Sequence, residues 1–265
     1  MRIFNLKSHL FKYNKSSTLN KLPQNFFWDF HKNSGEIDFY IDGDIEKAIF
    51  DQKNGRKKIL WTLESPFYNQ NVFSYIIKNL NLVLDTFELI FTYNDDLLSL
   101  NEKFKWIPAT GFWIKEPEIK KKTKLISMIT SKKKYTPQQN MRCNFALENN
   151  QKLDLFGEGY NPILNKEEGL SDYMFSVCIE NAIFDTYFTE KILDCFATGT
   201  IPIYSGTKKI SDYFDVNGII FLDSVKIEDL NEDIYYEKMN SIKKNFDLCL
   251  NYDLPENFFI KKYLN

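Results

Sequence analysis

Residues 173–206 limit the fold of this chain more than any other stretch. The run 174–179 is mostly apolar and lies between turn signals, which is typical of a buried strand. An apolar-periodic helix follows, opening at Thr189 and ending at Gly199, because glycine suits the left-handed cap of a helix. Residues 201–204 form the next apolar run. Strand, helix and strand in this order predict a crossover between parallel strands of an α/β sheet.

The polar residues of this crossover lie where open α/β sheets bind ligands, at the carboxyl end of a strand and the amino end of a helix. Glu180 and Asn181 close the strand, and Thr189, Glu190 and Lys191 open the helix. The free N–H groups and the dipole of a helix start favour an anion, usually a phosphate. The sequence therefore predicts an anion site here. The alternative is that these residues only cap the helix.

The composition limits which binding partners and which cellular compartment we expect for this protein. With 265 residues and a net charge of −2, the chain can bury a sizeable core and has no charge bias toward nucleic acid or an acidic membrane. Its four cysteines include no C-x-x-C pair, which predicts reduced thiols in a cytoplasmic protein. No apolar run reaches the length of a signal-peptide core or a membrane span, so we expect no integral membrane segment. A peripheral position on a membrane stays open.

Several common catalytic and phosphate-binding designs do not occur in the sequence. Only two histidines are present, His9 and His31, which argues against a histidine-dependent triad or a histidine-rich metal site. Neither G-x-x-x-x-G-K-[ST] nor G-x-G-x-x-G is found, so the two common glycine-rich phosphate loops are missing. The helix start at Thr189 remains as the phosphate site that the sequence indicates.

The first part of the chain predicts its own α/β unit, in which we expect an edge strand and then three further strands, at 1–6, 37–41, 58–63 and 89–93. Asp42 and Asp44 follow the second of these runs. Such a D-x-D pair can hold a divalent metal at a diphosphate. The pattern favours a plain strand-ending turn instead, with Asp44 capping a helix over 45–51.

Two motifs, in the right order and more than a hundred residues apart, resemble the α1,3/1,4-fucosyltransferases, glycosyltransferase family 10. The pattern E-N-x5-Y-x-T-E-K spans 180–191 and precedes G-T-I-P-I at 199–203. The pattern W-x-x-E-S-P at 61–66 is similar to the family's N-terminal motif, and T-Y-x-x-D at 92–96 adds a weaker likeness. The resemblance covers roughly residues 58–223. It is closest to microbial members that have no membrane stem.

The resemblance implies that Glu64 is the catalytic base. The alternative is that Ser65 only caps a helix that has Pro66 at its first position. Some bacterial members carry a second acidic residue just before this motif, where this chain has Thr62. If Glu64 is not the base, Asp95 and Asp96 are the next candidates; residues of this kind also commonly start a helix.

The resemblance also implies a donor site without metal or cofactor. Arg142, on a predicted helix over 137–148, lies where the family places its phosphate-binding arginine, and its planar fork suits a diphosphate. The alternative is an ordinary surface arginine. Lys191 and the helix start at Thr189 would bind the negative charge of the same diphosphate. Glu190 would hold the sugar or stabilise its positive charge, and the pocket would be shaped by Tyr187 and Asn181.

The predicted fold class is α/β, with two Rossmann-like domains facing each other across a cleft, the GT-B arrangement. Residues 1–115 would bind the acceptor glycan and residues 120–245 the GDP-sugar donor. The lysine-rich stretch 115–124 is expected to link the two, and residues 246–265 to form a tail helix.

The implied reaction is the transfer of L-fucose from GDP-fucose to a hydroxyl of an acceptor glycan, with inversion and an α1,3-type linkage. Two alternatives stay open. The chain could be a transferase of the same fold that uses another nucleotide sugar. It could also be an inactive protein that binds a nucleotide sugar or a glycan, although the intact Glu64, Glu190 and Lys191 argue against that.

Overall fold

The computed structural model describes residues 1–8, 16–18, 21–51, 55–67, 69–252 and 254–264. The chain forms two compact units, one of Met1–Thr110 with Leu254–Asn265 and one of Gly111–Asp253. Each unit is built on one parallel sheet, so the predicted fold class, α/β with two Rossmann-like domains, is confirmed. Within the described ranges, no helix is long and apolar enough to cross a membrane. The prediction for His9 falls outside the described residues.

The strands are β1 (Arg2–Leu6), β2 (Phe26–Asp29), β3 (Ile37–Ile41), β4 (Lys57–Trp61), β5 (Leu89–Thr92), β6 (Phe104–Trp106), β7 (Lys124–Ile129), β8 (Asp154–Phe156), β9 (Tyr173–Ile179), β10 (Ile201–Ser205) and β11 (Ile220–Phe221). The helices are α1 (Ile45–Phe50), α2 (Gln70–Lys78), α3 (Leu80–Thr86), α4 (Asp95–Leu98), α5 (Pro137–Glu148), α6 (Glu190–Ala197), α7 (Glu232–Glu237), α8 (Met239–Leu250) and α9 (Pro255–Tyr263).

The sheet of the first unit has the order β2-β1-β3-β4-β5-β6. The predicted edge position of the first strand is wrong, because β2 pairs outside β1 with Arg2 opposite Phe26. Burial alternates along β2 as the geometry of a strand requires: Phe26 and Trp28 are buried while Phe27 is 58 % exposed. The predicted strands at 37–41, 58–63 and 89–93 are found as β3, β4 and β5.

Helix α9 belongs to the first unit. Its Phe259 stacks on Phe91 and Phe39, with ring centroids 5.0 and 5.3 Å apart. Glu256 is fully buried on the same helix and accepts hydrogen bonds from the Ser17 backbone N–H (2.6 Å) and hydroxyl (2.5 Å). The stretch predicted as a separate tail helix, 246–265, therefore contains the end of α8 and then a helix that completes the core of the first unit.

The second unit has the strand order β11-β10-β9-β7-β8, and β9, α6 and β10 form the predicted parallel crossover. The predicted cap at Gly199 is confirmed: its φ is +67°, and its N–H donates to the Phe196 carbonyl at 3.0 Å. The Thr200 N–H donates to the Cys195 carbonyl at 2.9 Å, which completes a Schellman motif. The cap fixes where the chain turns into β10.

The lysine-rich stretch 115–124 packs on the second unit, so its prediction as an interdomain linker is wrong. Lys122 is buried, and its ammonium donates to the carbonyls of Ser171 (2.9 Å) and Thr198 (2.7 Å) and to the Thr200 hydroxyl (3.1 Å). The lysine aliphatic stem covers apolar surface while its charge meets backbone carbonyls. The abundance of lysine predicted a linker, and these carbonyl partners cannot be seen in the sequence.

This buried lysine predicts a pH-dependent stability. Burial lowers the pKa of Lys122 to about 7 from its ordinary 10.5. Between those pH values the unfolded chain binds the extra proton, so the free energy of unfolding rises with pH. Relative to Lys122→Met, the parent should gain about 1–3 kcal/mol between neutral pH and about pH 9 in urea unfolding. Lys121→Met, at an exposed neighbouring position, is the control. Parallel pH curves for the parent and the Lys122 variant would contradict the expectation.

Candidate functional site

Glu180 joins the end of β9 to the start of α6. Its carboxylate is fully buried and accepts from the Thr189 N–H at 2.9 Å and from the Thr189 hydroxyl at 2.7 Å. Thr189 is the N-cap of α6, and its hydroxyl oxygen faces the Lys191 N–H at 3.5 Å. The alternative that these residues cap the helix is therefore correct for Thr189, because its hydrogen-bonding groups hold the helix start in place.

Lys191 projects from this helix start beside two carboxylates. Its Nζ lies 2.9 Å from the Thr189 hydroxyl and 3.4 Å from an oxygen of both Glu180 and Glu190, and its side chain is 21 % exposed. Burial acts to lower the pKa of Lys191, but Glu190 and Glu180 outweigh it and raise the pKa. Lys191 is therefore a fixed positive charge at neutral pH, as phosphate binding requires.

Glu190 lies between two ammonium groups. Its Oε1 is 3.4 Å from Nζ of both Lys191 and Lys166, and the side chain is 15 % exposed. Burial acts to raise the pKa of Glu190, but the two lysines outweigh it and lower the pKa to about 2. A carboxylate of so low a pKa is a poor general base near neutral pH. It can stabilise a positive charge or accept hydrogen bonds from a sugar.

Lys166 and Asp194 complete this ionic network, and neither was predicted. Lys166 Nζ is 2.6 Å from Asp194 Oδ2 and 4.5 Å from the centroid of the Trp113 ring. Burial raises the pKa of Asp194 to about 6 despite that lysine. Asp194 could have been found, because it lies one helical turn after Glu190 on the same face of α6. Lys166 enters from a distant loop, and no local pattern marks it.

Arg142 lies on α5 and is only 7 % exposed, so the alternative of an ordinary surface arginine is wrong. Its Nη1 donates to Asn181 Oδ1 at 3.2 Å, while its buried Nε has no hydrogen-bond partner among the described residues. Arg142 also acts to lower the pKa of Lys191, which places both cations in one electrostatic neighbourhood. A buried guanidinium with an unused donor suits an anion.

Asn181 and Tyr187 lie on the connector between β9 and α6. The Asn181 carbonyl accepts from the Thr136 hydroxyl at 3.2 Å, so this residue ties the end of β9 to the start of α5. Tyr187 is buried and meets the Phe184 ring edge to face, with centroids 6.3 Å apart. The structure thus brings Arg142, Asn181 and the helix-start residues together, with Tyr187 packed nearby in the connector.

Glu64 belongs to the first unit, where it follows β4 at the carboxyl edge of the sheet. Its side chain is exposed, while its backbone is held on both sides. The Asp42 carboxylate accepts the Glu64 N–H at 3.2 Å, and the Tyr93 hydroxyl donates to the Glu64 carbonyl at 2.9 Å. The alternative reading of Ser65 as a helix cap is wrong, because the next helix begins only at Gln70.

The predicted helix start at Asp95 and Asp96 is confirmed: both open α4, which Asn94 caps by accepting the Leu97 N–H at 3.0 Å. The other acidic pair is Asp42 and Asp44, and the predicted side-chain cap at Asp44 is not formed.

Asp44 precedes α1 but its side chain makes no cap hydrogen bond, and it pairs with Lys47 instead. Asp42 is buried, and burial raises its pKa to about 7. In the part of the chain that the structure describes, no group of three or more His, Cys, Asp or Glu side chains could hold a metal ion.

Comparison with known proteins supports the sequence motifs. Residues 119–248 match the family model for glycosyltransferase family 10 (fucosyltransferase), C-terminal part. An α-(1,3)-fucosyltransferase of Helicobacter pylori is 38 % identical over 99 residues, which are 37 % of this chain and 20 % of that relative. The match therefore spans one fifth of the curated relative's length.

Solved structures agree over nearly the whole chain. The crystal structure of an α1,3-fucosyltransferase is similar with a TM-score of 0.53 and 18 % identity, covering 96 % of this chain and 81 % of that one. An α1,3-fucosyltransferase with GDP gives a TM-score of 0.51 and 17 % identity, covering 96 % and 82 %. The chain thus has the fold of these glycosyltransferases. The match of residues 119–248 to the model of glycosyltransferase family 10 confirms the resemblance seen in the motifs.

Proposed function

We propose that this chain transfers L-fucose from GDP-fucose to a hydroxyl of an acceptor glycan, with inversion and an α1,3-type linkage. The observation that carries the proposal is the convergence of Arg142 and Lys191 on the start of α6, within the part that matches family 10. A neighbour of the same fold has been solved with GDP, which supports a guanine nucleotide as the donor's carrier.

The donor diphosphate would bind mainly to side chains. Of the first N–H groups at α6, that of Thr189 is taken by Glu180 and that of Lys191 faces the Thr189 hydroxyl. The helix dipole still favours an anion there, but Arg142 and Lys191 supply the full charges. Both contacts would strengthen as charge builds on the departing β-phosphate. Two fixed cations can serve in place of a metal, so we propose a metal-independent reaction.

The two candidate carboxylates would have different tasks. Inversion proceeds by one in-line displacement with an oxocarbenium-like sugar, so it needs a base for the acceptor and stabilisation for the sugar. Glu190, with its pKa near 2, fits the stabilising task. Glu64, exposed at a strand end of its own unit, is the proposed base. A positioned general base typically supplies about 10²–10⁴-fold in rate.

Product analysis tests the reaction itself. Purified chain would be incubated with GDP-fucose and a panel of oligosaccharides, and the products examined by mass spectrometry and proton NMR. An α-linked fucose from the β-linked donor would support inversion, and linkage analysis would test the 1,3 position. Release of GDP without any fucosylated product, across the panel, would leave only donor hydrolysis. Binding of GDP with no turnover would favour the inactive binding protein.

The donor proposal predicts that GDP binds without metal and more tightly than UDP. The family-10 match and the position of Arg142 motivate it. Calorimetry with both nucleotides, with and without EDTA, measures it, and GDP-mannose serves as the control for the sugar. Equal affinity for UDP would favour a transferase with another nucleotide sugar. Activity that EDTA abolishes and Mn²⁺ restores would bring back Asp42 and Asp44 as candidate metal ligands.

A further inference from the structure

Asp42 combines two unfavourable features directly after β3. Its φ is +48°, a left-handed conformation that costs a non-glycine residue about 1 kcal/mol. Its carboxylate is also buried, only 4 % of the residue being exposed. Glycine, which is found at the next position as Gly43, adopts a left-handed backbone at a lower cost than aspartate. The turn alone therefore does not explain an aspartate at this position. Backbone strain of this kind is found most often at functional sites.

The buried carboxylate holds the loop that carries Glu64. Its Oδ1 accepts the Leu63 N–H at 2.8 Å, and its Oδ2 accepts the Glu64 N–H at 3.2 Å. The Tyr93 hydroxyl, directly after the neighbouring strand β5, donates to the Glu64 carbonyl. The peptide of Glu64 is thus fixed by one side chain after β3 and another after β5.

We propose that Asp42 is a positioning residue for the base, which sets the direction of the Glu64 carboxylate by holding the backbone of residues 63 and 64. The inference rests on the proposed function, because it gives Glu64 the task of taking the acceptor's proton. A base must lie within hydrogen-bond reach of that proton, and a displacement of about 1 Å can cost about 10²-fold in rate. The described residues between β4 and α2 belong to no helix or strand, so side chains such as Asp42 contribute to holding them in place.

The same contacts argue against a metal-binding task for this D-x-D pair. Asp42 is buried and both of its oxygens accept backbone N–H groups, which leaves fewer lone pairs for a cation. Asp44 pairs with Lys47 at the start of α1. The two aspartates therefore differ in function although they are two positions apart, which makes Asp44 a matched control.

Three variants test the inference: Asp42→Gly, Asp42→Asn and Asp44→Asn. Glycine suits the left-handed backbone and removes the clamp, so kcat for transfer should fall by about 10–100-fold. Asparagine tolerates the same backbone and keeps one oxygen, so it should restore part of the loss. Asp44→Asn should transfer at the parental rate. GDP affinity should be unchanged throughout, since the donor residues lie in the second unit, and thermal unfolding would confirm that each variant is folded.

A double-variant cycle separates positioning from a merely structural effect. If Asp42 acts through Glu64, Asp42→Gly should cause little further loss in a Glu64→Gln background. Losses that multiply, or parental turnover in Asp42→Gly, would overturn the inference while leaving the proposed function in place. Parental transfer by Glu64→Gln would overturn both the base assignment and the task given to Asp42. If Glu64→Gln transfers slowly and Asp42→Gly transfers at the parental rate, Asp42 is not a positioning residue, and Glu64 remains the base.

Discussion

Glu64→Gln is expected to lower the rate of fucose transfer by about 10²–10⁴-fold while GDP affinity stays at the parental value. Glutamine keeps the shape and a hydrogen-bonding side chain but cannot accept the acceptor's proton. The Glu64 backbone is held by Asp42 and Tyr93, so the substitution should leave the loop in place. The side chain is exposed, so we expect the folding stability to stay at the parental value, since surface substitutions usually change it by less than about 0.5 kcal/mol.

The measurement compares kcat for transfer with the calorimetric affinity for GDP. Asp85→Asn is the control, because Asp85 is an exposed carboxylate of the same unit and should tolerate the change. If Glu64→Gln transferred at the parental rate, the base would have to be another group, and Asp95 or Asp96 would be tested next. A variant that lost GDP binding as well would point to a disturbed fold instead of a missing base.

The parts of the fold that sequence predicted are those with a local signal. The crossover β9–α6–β10 follows from apolar runs of strand length and a glycine cap, all within about thirty-five residues of sequence. Pro137–Glu148 was predicted with the same bounds because Thr136 and Pro137 mark its start. Strand β2 was missed because its sequence, F-F-W-D, shows no alternation of apolar and polar residues; only the burial alternates, and that is seen in the structure.

The remaining features depend on contacts between distant residues. Helix α9 packs into the core of the first unit through Phe259, and nothing within the helix indicates which sheet it covers. Asp42 lies 21 residues before Leu63, and Lys166 lies 24 residues before Glu190. The sequence could indicate that these side chains are charged, but only the fold shows which partners they meet. The motif residues were easier to find because each lies directly at a strand end or a helix start.

Lys191→Met is expected to lower kcat/KM for transfer by about 2–4 kcal/mol, or roughly 30–1000-fold, because one charge-assisted contact to the leaving phosphate is lost. The structure adds a second consequence. Lys191 faces the buried carboxylate of Glu180 and one oxygen of Glu190, so its removal takes this ammonium away from Glu180 and leaves Glu190 with Lys166. We therefore expect some loss of stability and a rise in the pKa of Glu190 from its value near 2. Methionine retains the apolar stem, which limits the packing loss.

The control is Lys208→Met, which removes a lysine that is 64 % exposed in the same unit and should change neither stability nor turnover. GDP affinity, thermal unfolding and transfer kinetics would be measured on both variants. A drop in kcat/KM well beyond any loss of folded protein at the assay temperature would support a phosphate contact. If Lys191→Met turned over normally and bound GDP like the parent, the helix start of α6 would be only structural. The diphosphate charge would then have to fall on Arg142, whose buried Nε still lacks a hydrogen-bond partner among the described residues.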